Sequence, residues 1–574
     1  MSTRSHEDPS MSTSAASRIV PTTTLAEVIE RVTAREDLPL RRRHDLTSAV
    51  RVMARLLGLP PADIAADPEA LRYRLRPMTS ASTGVSPRRW RNLKSLFNMA
   101  LTVTGVTSTG QRSRDVISAD WLELLNRISD RYERARLSKL ARYCSLRSIT
   151  PSGITEAVVD AFGMMLLRES IVDRPKQVHR DACLTWNRLV DRINGWPAIH
   201  LRVPNNRRAY ALPLLTFAPS FAADVEAYLD HLAGHDLFSE TARAPASPVT
   251  IRNRRVQLSQ LATALVRSGR QPASIRSLAD LVDVSAAKQA INFFWQRNGK
   301  RKTGQIHNFA LLLVNLAKHW TDVPPAQLEA LRSLRRQVDP GKSGMTDRNR
   351  ARLRAFDDPV NVERLVNLPD RIIRCIGRSR GPSYNAAIHV QSALAIALEL
   401  VAPLRAKNLA ALTLDRHFVR SRPGLSAVVH LVIPAGEVKN KNPLEFELPP
   451  DVVRLLDLYV ERFRPPLMTD NSAFLFPARQ GGAKTPAQIA EQIQRAIRIG
   501  TGLAHNLHLF RHLAAFLYLK AHPGDYETVR LLLGHKDLAT TVRSYCGFER
   551  SDAIRRYDKL IDSYRQHDEQ PHAD

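Results

Sequence analysis

One phrase recurs along the N-terminal half of this 574-residue chain and dictates what that half can fold into. VRVMARLLGLPPADI ending at Ile64, LSKLARYCSLRSITPSGI ending at Ile154 and LSQLATALVRSGRQPASI ending at Ile275 each run an amphipathic helix of Leu, Ala and Arg into a turn opened by proline. Proline has a fixed φ and no N–H, so it ends one helix and starts the next. The later segments RRWRNLKSLFNMAL, HRDACLTWNRLVDRI and HNFALLLVNLAKHW occupy comparable places. Three all-α units follow as the expectation, over residues 25–110, 115–200 and 218–335, too irregularly spaced for a solenoid. WPAIHLRVPNNRRAYALPLL and SETARAPASPV break the pattern between the second and third. Residues 1–24 and 567–574 are polar and read as disordered tails.

Charge points to a partner. The chain carries 84 Lys+Arg against 56 Asp+Glu, a formal +28, and so basic a protein meets a polyanion, nucleic acid before an anionic membrane; a merely solubilising surface is the bland alternative. WQRNGKRKTGQIHNF concentrates Arg297, Lys300, Arg301, Lys302, Thr303 and Gln305 on a glycine-containing loop entering a helix, suited to a phosphate backbone or else a solvated basic loop. Cys144, Cys183, Cys375 and Cys546 are scattered without a C-x-x-C pair, which supports neither a disulfide framework nor a cysteine zinc site. MSTRSHEDPSMSTSAAS lacks the apolar core of a signal peptide, and the longest apolar run, Ala393 to Leu404, is too short to span a bilayer; a cytoplasmic protein with no membrane partner is expected.

The chemistry-bearing stretch is His505 to Phe548, HNLHLFRHLAAFLYLKAHPGDYETVRLLLGHKDLATTVRSYCGF. Leu509, Leu513, Phe516 and Leu517 give Leu507–Lys520 a helical period, so His508 and Arg511 lie one turn apart and can reach one ligand. A second helix, Tyr526–Leu533, is stopped by Gly534, which presents His535 in the turn beyond it. A third begins near Thr540 and Thr541 and carries Tyr545, the one strong nucleophile of the group unless it is simply a packed tyrosine. His505, His508 and His512 could align as metal ligands, but Arg511 among them and the lack of a nearby carboxylate weigh against that.

HLFRH, LLGH and TTVRSYCGF, in this order and near these separations, resemble the C-terminal signature of the tyrosine recombinase (phage-integrase) family. The resemblance continues upstream. In LELVAPLRAKNLAALTLDRH, Arg405 matches the family's first arginine, on a helix packed through Leu404, Leu409 and Leu412. In VVHLVIPAGEVKNKNPLEFELPP two strand-like runs flank a polar turn, and Lys439 falls at the family's hairpin lysine, with Lys441 as the alternative. Three departures stand out: Pro403 where glycine is frequent, Asn408 where an acidic residue is common, and ten positions rather than nine from His535 to Tyr545.

The resemblance covers roughly 345–566 and implies a catalytic domain there, preceded at 218–335 by the family's core-binding helical domain. The fold implied is mainly α with a small antiparallel β-sheet in the C-terminal catalytic domain, α+β, behind all-α modules. Arg405 and Arg511 would grip two phosphate oxygens, Lys439 would protonate the leaving 5′-oxygen, His508 would take the tyrosyl proton, His535 would donate to a non-bridging oxygen, and Tyr545 would form a 3′-phosphotyrosine. No metal or ATP cofactor is called for. Implied partners are double-stranded DNA and further copies of the chain, a tetramer on DNA, with room for a partner recombinase or an accessory DNA-bending protein; the reaction would integrate or excise a mobile element. Ile554, Tyr557, Ile561 and Tyr564 put one apolar face on a charged terminal helix that folds back or docks on a neighbour. A type IB topoisomerase and a catalytically idle DNA-binding regulator are the competing readings.

Overall fold

Many helices in this protein begin where a short polar side chain can take a first-turn N–H, and others open on proline. Thr24 accepts from Glu27, Asp130 from Tyr132 and Ser383 from Ala386, and Thr485 and Gln488 form a reciprocal capping box. The structure is a computed structural model describing residues 23–108, 117–205, 210–234, 245–341, 345–377, 382–421, 428–468, 470–479, 481–545 and 550–567; the side chains of 550–556 are not described. The expectations for 1–22, for much of the SETARAPASPV linker, for Cys546 and Gly547, for the side chain of Ile554 and for 568–574 lie outside these residues. The architecture is mainly α with one small antiparallel sheet near the C-terminal end.

By its internal contacts the chain forms two units, 1–204 with 344–574, and 205–343. In the first unit one apolar core gathers Leu25, Val50, Met53, Trp90 and Phe97 from helices Leu25–Thr33, Leu40–Leu56 and Pro87–Val103. A second gathers Trp121, Leu140, Phe162 and Trp186 from helices Ala119–Asn126, Arg131–Ser145, Glu156–Arg168 and Pro175–Arg192. A third surrounds Tyr384–Val401, whose residues from Val390 to Leu398 are almost all buried. That helix is long and apolar enough to cross a membrane by length and composition, a longer segment than the sequence suggested, yet it is mostly buried as a core helix.

The N-terminal helices pack on the C-terminal part of the same unit. Arg174 pairs with Glu491 at 2.6 Å, the Tyr132 hydroxyl donates to Asn385 at 2.8 Å, and Arg498 donates to the Arg76 carbonyl at 2.9 Å. Gly502, with φ +80°, is required at this seam, because a Cβ would lie 3.0 Å from the Ser82 backbone.

The second unit encloses its own core of Phe221, Leu261, Ile291, Phe294 and Phe309 between helices Pro219–Ala233, Pro248–Arg267, Val284–Arg297, Gly304–His319 and Pro325–Gln337. The recurring phrase takes one conformation in both units. Helix Leu40–Leu56, Arg131–Ser145 or Pro248–Arg267 is followed by a left-handed residue (Gly58, Ser148, Gly269), a single 3-10 turn opened by proline, and a fully buried isoleucine (Ile64, Ile154, Ile275).

The sheet has strands β1 Phe418–Arg420, β2 Val429–Ile433 and β3 Leu444–Glu447, antiparallel in that order. Val429, Leu431 and Ile433 alternate inward on β2, with Leu431 opposite Phe418 and Phe446. The sequence suggested the β2–β3 pair alone; β1 has only three residues and shows no alternation to read.

Candidate active site

Four chain segments meet at one corner of the C-terminal part, and two arginines and one asparagine stitch them. Leaving Tyr384–Val401, the chain passes Pro403 and buried Leu404 to Arg405, which takes an extended conformation as the N-cap of helix Ala406–Ala411. Arg405 was expected on that helix; it stands just before it, since the helix axis begins only at Ala406. Its Nη1 donates to Asn440 Oδ1 at 3.3 Å, and Asn440 Nδ2 donates to the Gly534 carbonyl. The β2–β3 turn is thereby tied both to Arg405 and to the corner carrying His535. Lys439 and Lys441 flank Asn440 with exposed side chains, Lys441 in left-handed backbone at φ +57°.

Arg511, only 4% exposed, donates Nη1 to the Pro403 carbonyl at 2.7 Å and Nη2 to the Leu533 carbonyl. It therefore fixes the backbone two residues before Arg405 and two before His535. Burial, reinforced by Arg405, pulls its pKa down to about 10, so it stays charged at neutral pH. Close to it lies the buried Glu399, 1% exposed. Burial holds this carboxyl well above the usual range, against the pull of Arg511.

His535 follows Gly534, whose left-handed φ of +56° ends helix Tyr526–Leu533 and whose Cβ, were there one, would strike Leu444 Cδ2 of β3 at 2.4 Å. The His535 N–H donates to the Arg530 carbonyl at 2.9 Å, and its Nδ1 lies 2.9 Å from the hydroxyl of buried Thr541. With Nδ1 accepting from that hydroxyl, Nε2 carries the proton and can donate. Tyr545 closes helix Leu538–Tyr545, which begins two residues earlier than expected. Its ring lies parallel to His535 at 6.2 Å and edge-on to His512 at 5.6 Å, and only 2% of it is exposed. Burial pushes the phenol up to about 12, opposed by Arg511.

His508 occupies the exposed N-cap position of helix Leu509–Ala521 and meets His512 at 4.9 Å, so His512 stands between His508 and Tyr545. The three rings are all shifted down, first by desolvation and then by neighbouring cations: His512 and His535 to about 4, His508 in the same direction. At neutral pH the site is thus a pair of guanidinium ions with uncharged imidazoles as acceptors and donors.

His505 does not join them. It is 3% exposed, edge-on to Phe356 and Phe510 and without a hydrogen-bond partner, and burial drives it down to about 3. Among the described residues no group of three His, Cys, Asp or Glu could hold a metal.

The departures noted in the sequence have local work. Pro403 supplies the carbonyl that Arg511 grips, and Asn408 donates to the Glu437 carbonyl at 3.3 Å, anchoring the hairpin whose Glu437 pairs with His417 at 3.0 Å.

The basic loop belongs to the other unit. Arg297 ends its helix with the guanidinium 4.2 Å over the Tyr210 ring, and the Thr303 hydroxyl is taken by the Ile306 N–H as a cap. Arg297, Lys300, Arg301, Lys302 and Gln305 are all exposed.

No protein-family model matches the chain, and a search of curated proteins finds no match. Solved structures do. The XerH site-specific recombinase bound to difH substrate is 14% identical, over 58% of this chain and 94% of that one, with a TM-score of 0.29. The Tn1549 transposon integrase in complex with transposon right end DNA is 12% identical over 57% and 98%, TM-score 0.33, and a lambda integrase dimer bound to a COC' core site 15% identical over 56% and 95%, TM-score 0.31. All three are recombinases or integrases.

Proposed function

We propose that this protein is a tyrosine recombinase that cuts and rejoins double-stranded DNA through Tyr545. The observation that carries the reading is the convergence of Arg405 with His508, Arg511, His535 and Tyr545, which lie more than a hundred residues further on, held by hydrogen bonds of Arg511 and Asn440. Two guanidinium groups suit the non-bridging oxygens of a phosphodiester, and a neutral His535 with Nδ1 occupied donates from Nε2 to one of them. The Tyr545 oxygen attacks phosphorus as the P–O5′ bond breaks. The phenolic proton passes to the neutral histidines, His508 with His512 adjoining, and Lys439 on the hairpin delivers a proton to O5′. The new phosphotyrosine keeps the bond energy, so a second 5′-hydroxyl reverses the step without ATP.

Tyr545 is packed between two histidines, so the phenol has to swing out before it attacks. Coupled cleavage within a tetramer on DNA suits such a withdrawn nucleophile, and the exposed Tyr557, Leu560 and Tyr564 of helix Arg550–His567 offer a surface for a neighbouring copy. This differs slightly from the face expected, since Ile561 is half-buried and Leu560 exposed. Cytoplasmic action on a mobile element completes the proposal. The test is strand exchange between two duplexes in EDTA: joined product supports the recombinase, whereas relaxation of supercoiled plasmid without joining supports a topoisomerase.

A further inference from the structure

A strongly cationic cavity lies away from Tyr545, between the two N-terminal helical groups of the first unit. A cavity of about 1000 Å³ opens there between helices Pro68–Leu75, Pro87–Val103, Arg131–Ser145 and Glu156–Arg168, with Arg498 at its edge. Its lining holds seven arginines and two lysines against the single carboxylate of Asp173, a formal +8.

Several of these cations are turned to neutral groups. Arg42 Nη2 donates to the Met99 sulfur at 2.8 Å, a weak acceptor, and Arg147 lies 4.1 Å over the Tyr143 ring. Arg72 Nη2 serves the carbonyls of Leu167 and Ser170 at 2.6 and 2.7 Å, while its buried Nε has no hydrogen-bond partner. Arg76 meets a carboxylate, Asp173 at 3.7 Å. Between the cations the wall is apolar and aromatic, including Met78, Phe97, Tyr143, Met165 and Val172.

Clustered like charges repel, and a concave wall focuses their field, so such a cavity gains most from a ligand bearing several negative charges. The volume is that of a small-molecule site, roughly 300–1,000 Å³, and no DNA duplex fits inside it. An inorganic polyphosphate would satisfy the cations and leave the apolar wall bare. We propose that the cavity is a binding site for a nucleoside polyphosphate, the phosphates on the arginines and the base against the apolar and aromatic side chains. This goes beyond the strand-cleaving reading and does not depend on it.

The test is calorimetric titration of the full-length protein at low salt with ATP, with tripolyphosphate and with a short DNA duplex. ATP is expected to bind one to one and more tightly than tripolyphosphate, and Arg42→Gln with Arg147→Gln to weaken it at least tenfold while Tyr545-dependent cleavage persists. Cross-linking with an azido-ATP, independent of any variant, is expected to label peptides within 87–103 or 131–147. No ATP binding at millimolar concentration, equal binding by tripolyphosphate, unchanged affinity in the double variant, label elsewhere, or stoichiometric displacement of ATP by duplex that the same variant weakens equally would each overturn the proposal, the last making the cavity a DNA-backbone surface.

Discussion

Replacing Arg511 by lysine separates the two tasks of its guanidinium. In the structure Nη1 reaches the Pro403 carbonyl and Nη2 the Leu533 carbonyl, both buried, and an ammonium on a shorter reach can serve only one of them. The abandoned carbonyl costs about 1–3 kcal/mol, which should lower the urea midpoint measurably. Loss of one preorganised fork on the phosphate should lower cleavage by roughly 10²–10³-fold. Because Arg511 also fixes the segments bearing Arg405 and His535, misplacement of both adds to the loss. The assay is single-turnover formation of the protein–DNA adduct on a nicked duplex, beside urea denaturation of the same variant. A lysine variant with wild-type cleavage would refute the fork argument; one that is destabilised but cleaves normally would reduce Arg511 to a structural brace.

Three other expectations follow from the same geometry. His505, His512 and His535 have folded pKa values of about 3, 4 and 4, below the ordinary 6.5, so the unfolded chain binds more protons between those values; stability should fall as pH drops from about 6.5 toward 4, by up to about 1.4 kcal/mol per pH unit for each, and His505→Leu should flatten that decline in urea titrations. Gly534→Ala, forced into left-handed backbone beside Leu444, should cost about 1–2 kcal/mol and impair cleavage; an unchanged melting temperature would mean the corner relaxes freely. Deleting residues 551–574 removes the exposed Tyr557, Leu560 and Tyr564 and should reduce joining of two duplexes more than binding of one, measured by gel shift against strand-exchange product.

How much of this was legible depended on the span of chain involved. The Gly534–His535 corner, the helical Arg511 and the terminal Tyr545 are set by neighbours within a turn or two, so capping and periodicity exposed them. Asn440 and Glu399 gave no signal, because their roles arise only on folding. Asn440 joins positions 94 residues apart, and Glu399 matters through its burial close to Arg511. His512 looked like a possible metal ligand from its spacing; the fold turns it instead toward Tyr545, with His505 closed off between Phe356 and Phe510. The stacking of Arg297 on Tyr210 was likewise invisible in the sequence, because it too arises only on folding.

The central claim is that Tyr545 becomes covalently joined to a DNA 3′-phosphate. Incubating the protein in EDTA with nicked duplexes that trap the intermediate, then digesting and sequencing the modified peptide by mass spectrometry, tests it directly. The account predicts a nucleotide on Tyr545, absent from Tyr545→Phe although that variant still binds DNA. A nucleotide on another residue, or an adduct that persists in Tyr545→Phe, would contradict it.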